Sequence, residues 1–176
     1  TLIDFLDAHW KNFAANLVRS GRSLSLSDLA LTDCPYTSQD LSNFRDQSVT
    51  EMGFFLPKVV ADKAGLPILR AGSPNMSIYV EDEGKIDYAH NTAEWMSVEN
   101  ALFTPYPSTT QKEVETEFAK NNRVGLTPSI FIALAGIIKE LEGRFINERS
   151  TSRLLGYVIR GEAASADCRD GGDCFV

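Results

Sequence analysis

The stretch that decides the fold is Thr127-Pro128-Ser129-Ile130-Phe131-Ile132-Ala133-Leu134-Ala135-Gly136-Ile137-Ile138. Thr127 can cap a helix with its hydroxyl. Pro128 at the first helical position loses nothing, because the N–H there has no intrahelical acceptor. Ile130, Phe131, Ile132, Leu134, Ile137, Ile138, Leu141 and Phe145 then surround much of one helix over residues 128–148. A helix apolar nearly all round is a central core helix or an interface helix. The apolar run Ile130–Ile138 is far shorter than the roughly 20 residues that a membrane span requires.

Other segments are read as packing around that helix. Toward the N-terminus, Thr1 and Asp4 form a capping box. Leu2, Leu6, Phe13 and Leu17 recur at helical spacing up to Ser20-Gly21, with Ile3, Trp10 and Ala14 widening the stripe. Residues 22–36 are a Ser-rich connection in which Leu24, Leu26, Leu29 and Leu31 fit a short strand, while Ser27-Asp28 and Pro35 fit a loop with one helical turn equally well. Thr37 or Ser38 opens a second helix through Asp40, Leu41 and Phe44. Ser48 and Glu51 suggest another capping box. Val49, Met52, Phe55, Leu56, Val59, Val60 and Ala64 keep helical periodicity to Gly65, with Pro57 predicting a kink or break near Gly53. Residues 66–74 read as irregular.

Met76, Ile78 and Val80 alternate before the turn Asp82-Glu83-Gly84, and Ile86 and Tyr88 resume the pattern. Residues 76–89 therefore read as a β-hairpin. Asn91 or Thr92 caps a helix through Trp95, Val98, Ala101, Leu102 and Phe103. Ser108 or Thr109 starts a charged helix ending near Asn121-Asn122. Leu154, Leu155, Tyr157, Val158 and Ile159 suggest a last short helix from Ser152. The predicted fold is mainly α: a single-domain irregular helical bundle of about six helices with one small hairpin. Residues 1–160 form the helical domain and 161–176 an acidic flexible tail.

Composition agrees with one folded domain. The chain has 176 residues, 43% hydrophobic and 23% charged, with a formal net charge of -7. That excludes a disordered or collagen-like chain. The acidic balance argues against a nucleic-acid surface, except locally: Arg144, Arg149, Arg153 and Arg160 cluster in sequence as the best polyanion candidate. The expected alternative is an exposed face of ordinary ion pairs. The chain starts at Thr1, and neither a secretory leader nor a membrane span is visible. It is expected to be soluble, with its compartment undetermined.

Catalytic residue types are sparse. The two histidines are His9, expected at the surface or a boundary, and His90, at the junction between the hairpin and the next helix. His90 with Asp87 or Glu94 is the one acid–base arrangement that the spacing allows. Cys34 precedes Pro35 and lacks a following helix N-terminus to support a thiolate. Asp167, Asp170 and Asp173 flank Gly171-Gly172, but read as a solvated tail, and no metal or cofactor is expected. Cys168 and Cys174 bracket a turn-prone loop. Two free thiols are favoured over a bridge there, because no framework of spaced pairs exists. Asn75-Met76-Ser77 is a glycosylation sequon that matters only in a secreted protein.

Phe54 and Phe55, like Ile130, Phe131 and Ile132, place bulky groups on adjacent helix faces. They are the candidate interaction residues. The leading expectation is a non-enzymatic structural or protein-interaction subunit that associates through apolar helices, with itself or in a larger assembly such as a coat. The alternatives are a small enzyme built on His90, and a helical module binding an apolar ligand among Trp95, Phe103 and Phe131.

Overall fold

The computed structural model describes residues 1–46, 51–63, 65–92, 94–99, 108–146, 151–159, 162–169 and 171–176. At its centre is the expected apolar helix. Counting in chain order, α1 spans Leu2–Arg19, α2 Ser38–Asp46, α3 Lys58–Ala61, α4 Gly65–Gly72, α5 Gln111–Lys120 and α6 Pro128–Glu142. Thr127 accepts the Ile130 N–H at 3.4 Å and donates its own hydroxyl to Asn91 Oδ1, so α6 starts where its cap predicts. It ends earlier than residue 148, because Gly143 adopts the left-handed φ of 74° that closes a helix. α6 is buried from Pro128 to Ala135 and again at Ile137 and Ile138, and it packs on α3 and α4.

Near the N-terminus α1 and α2 form where their caps predict, whereas residues 66–74, expected as irregular, hold most of α4. The Thr1–Asp4 capping box opens α1, and Leu6, Trp10, Phe13, Ala14 and Leu17 form its buried stripe. α1 lies so close to α4 that Gly72 touches the Phe13 ring; a Cβ there would come within 2.3 Å. Thr37 and Asp40 bond reciprocally at the start of α2. Thr110, with Glu113, caps α5.

The fold class departs from the expectation. Among the described residues, six strands accompany the six α-helices, so the fold is a mixed α/β arrangement rather than a mainly α bundle with one hairpin. Within the predicted helix over 48–64 the structure instead has β1, Glu51–Phe55, followed by the short α3; Ser48, Val49 and Ala64 lie outside the described residues. The predicted helix from 91 is β3, Trp95–Glu99, antiparallel to β1 with Phe55 opposite Trp95. The reason lies in burial. Met52, Phe54, Phe55 and Leu56 are all buried. A strand covered on both faces reads as a continuous apolar run that periodicity cannot separate from a helix. Pro57 ends the strand and precedes α3, where its missing donor costs nothing.

The second sheet overturns the rest. β2 (Ser77–Tyr79) does not fold back on residues 86–88. It pairs in parallel with β6 (Asp173–Phe175), nearly a hundred residues on. The segment after it makes two 3-10 turns, Glu83–Lys85 and Tyr88–His90, with Asp82 at φ 58°. β4 (Ser152–Ile159) replaces the predicted last helix and pairs with β5 (Glu162–Cys168), giving the order β2-β6-β5-β4. The segment 161–176, expected as a tail, thus contributes two strands. Ala166, Cys168, Cys174 and Val176 join the same buried cluster as Leu6 and Phe131.

Candidate interaction face

Side chains alternate across a strand, and register carries that alternation from one strand to the next. In the four-stranded sheet, Ile78, Cys174, Val176, Ala166, Cys168 and Leu154 are buried. Their neighbours fall on the opposite face. Tyr79 stands opposite Phe175, and Phe175 opposite Asp167, so one row crosses three strands. Ser165 and Arg169, two residues before and after Asp167, share that face.

This face is open and chemically mixed. Tyr79 is 53% exposed, and its ring stacks on Phe175 at 5.1 Å with 16° between the planes. The Arg169 guanidinium lies 4.5 Å from the Phe175 ring centre, a cation–π contact. The surface forms a shallow groove of ≈ 790 Å³, with Arg70, Glu81, Ser165 and Asp167 among the groups around the aromatic pair.

Arg70 has a second task. Its Nε donates to the Ile78 carbonyl at 3.1 Å, and its guanidinium pairs with Glu83. Tyr79 O and Glu81 N bond Val176 on the β6 side, so Ile78 O belongs to the outer edge of β2. Arg70 therefore covers an edge acceptor that would otherwise invite another strand. Tyr88 is packed close by: burial pushes its phenol above the ordinary value, and Glu83 adds to the effect.

The residues singled out from sequence fall elsewhere. Asp87 accepts the Ala89 N–H at 2.9 Å and so caps the turn that ends at His90. Glu94 accepts the Thr92 hydroxyl at 2.6 Å. Both carboxylates are exposed and held by local bonds; the His90 side chain lies outside the described set. Phe54, Phe55, Ile130, Phe131 and Ile132 are all interior, from 0% to 6% exposed. They are consumed by this chain's own core and present no outer apolar face. Arg144 is exposed, Arg153 belongs to β4 opposite Ser165, and Arg149 and Arg160 lie outside the described residues.

Other sequence candidates are structural in place. His9 is buried rather than at the surface: its ring meets the Trp10 ring edge-on, and Nδ1 lies 2.9 Å from Glu140 Oε1, joining α1 to α6. The Trp95 indole donates to the Thr32 carbonyl at 3.0 Å. Phe131 is core, and Phe103 lies outside the described residues. Cys168 and Cys174 are disulfide-bonded, and Cys34 is a free, half-buried thiol. Asp167 and Asp173 are strand residues, and Asp170 lies outside the described set.

Sequence reasoning missed Tyr79, Phe175, Arg169 and Arg70. The available signal was the alternation Ile78-Tyr79-Val80 and its echo in Cys174-Phe175-Val176. Two short strands of matching pattern announce one sheet only when they are known to be neighbours. No protein-family model, curated protein or solved structure matches this chain.

Proposed function

We propose that this chain is a non-catalytic, self-associating subunit, and that its contact surface is the exposed face of the four-stranded sheet rather than its apolar helices. The supporting observation is the Tyr79–Phe175–Arg169 stack on an open face. Aromatic and Arg side chains are the groups most enriched where protein interfaces concentrate binding energy. The charges argue for a second copy as the partner. The groove carries two cations, Arg70 and Arg169, and two anions, Glu81 and Asp167. A two-fold interface brings each residue against the partner's counterpart patch, so a face bearing both signs can complement itself. These balanced charges sit in a chain of net charge -7, to whose overall repulsion between copies they do not add.

Light scattering after size exclusion, run over a concentration series, tests this. The wild type is expected to give a dimer that Tyr79→Ser weakens. Arg169→Asp and Asp167→Arg should each dissociate it, while the double variant restores association. A wild type that stays monomeric at the highest soluble concentration, or a dimer indifferent to all four variants, overturns the proposal.

A further inference from the structure

We infer that Asn75 is an N-glycosylation site and that the chain matures in an oxidising, glycosylating compartment. The inference is independent of the sheet-face reading. It joins two observations that sequence alone left unconnected. The first is the sequon Asn75-Met76-Ser77, which the fold presents to solvent. Asn75 lies in a turn closed by the Met76 N–H on the Ser73 carbonyl at 3.0 Å, and both Asn75 and Ser77 are exposed. The second is the Cys168–Cys174 disulfide, whose two residues are 0% exposed. Bridges of this kind persist where thiols are kept oxidised, which is where the sequon acquires meaning.

The two features meet in space. Ser77 donates its N–H to the Gly172 carbonyl at 2.8 Å, inside the loop that the disulfide closes. Gly172 is packed so tightly on the Asn75 carbonyl that a Cβ would lie 2.5 Å away. The backbone of the sequon turn is thus anchored on the bridged loop, with Met76 packed against the core and Asn75 and Ser77 exposed. Asn75 lies beyond the start of β2, off the row formed by Tyr79, Phe175 and Asp167.

The donor is a lipid-diphosphate-linked oligosaccharide. The Asn75 Nδ2 forms a bond to the sugar C1, the bond from C1 to the diphosphate oxygen breaks, the amide gives up one proton, and the lipid diphosphate departs. No oxidation or reduction accompanies the transfer.

The test is to express the full chain behind a cleavable secretion leader in a eukaryotic cell and read the intact mass before and after peptide:N-glycosidase. The expected result is an oligosaccharide mass that the glycosidase removes. It is absent in Asn75→Gln and in Ser77→Ala and retained in Ser77→Thr, and the glycosylated molecules carry the Cys168–Cys174 bridge in non-reducing peptide mapping. Translocated wild type with an unmodified Asn75 overturns the inference. So does a glycan confined to molecules that lack the bridge. Because the mass is read on all translocated chains, poor secretion of one variant does not obscure the outcome.

Discussion

Cys168 and Cys174 stand directly opposite each other across β5 and β6, bridged, with their Cα atoms 4.1 Å apart and no exposed surface on either residue. The next pair along the same ladder is Asp167 and Phe175, on the outer face. The bridge therefore holds from inside the strands that carry the aromatic stack outside. It also ties β6, only three residues long, to the rest of the sheet.

Removing the bridge has a calculable cost. It closes a loop of six residues in sequence separation, for which lost chain entropy in the unfolded state stabilises by about 2 kcal/mol. The double variant Cys168→Ala with Cys174→Ala is expected to melt roughly 4–8 °C lower, given the usual sensitivity of chains of this size. Reductant added to the native wild type should leave the bridge intact by alkylation and mass spectrometry, since neither sulfur is reachable without opening the sheet. Rapid reduction in native buffer would contradict the observed burial.

The α1–α4 contact makes a sharper steric prediction. A Cβ on Gly72 meets the Phe13 ring at 2.3 Å, and that ring is itself 3% exposed with little room to move. Gly72→Ala is expected to cost about 1–3 kcal/mol, the range for overpacking a filled core. Gly171→Ala, where nothing lies within 4 Å, should stay within about 0.5 kcal/mol of wild type. Adding Phe13→Leu to Gly72→Ala should recover part of the loss, because the two residues share one space. Urea denaturation midpoints of Gly72→Ala, Phe13→Leu, their double variant and Gly171→Ala measure this; additive effects of the first two would mean that α1 and α4 are spaced differently.

Glu99, at the end of β3 opposite Glu51, supplies a pH prediction. Burial raises its carboxyl above the ordinary value of 4.5. The folded chain therefore holds this proton more tightly than the unfolded chain does. The favourable contribution is complete below 4.5 and is lost as pH rises through the folded value, so this group destabilises the fold at neutral pH. Glu99→Gln should be the more stable protein near neutrality, and its advantage over wild type should shrink toward pH 4.5. Paired denaturation curves across that window check the sign; an advantage that grows on acidification would refute it.

The sequence determined the elements whose physics is local. A cap and a helical stripe lie within one segment, so the presence of α1, α2, α5 and α6 could be read locally, although α5 is capped by Thr110 and α6 stops at Gly143. The start of α6 is the clearest case, because Thr127 and Pro128 act on the helix's own first turn. Which apolar runs become strands is not local information. Met52 to Leu56 and Leu154 to Ile159 carry enough apolar residues for either geometry, and only an antiparallel partner satisfies their backbone as strands. The partner of β1 lies far off in sequence at β3, as does the parallel partner of β2 at β6. The tertiary structure alone therefore made residues 162–168 and 173–175 part of a sheet and placed the two cysteines opposite each other. It sent Phe54 and Phe131 inward, and by the same alternation turned Tyr79, Phe175 and Arg169 toward solvent. A side chain's exposure follows from its strand's register, and register is set by the neighbour that the strand finds.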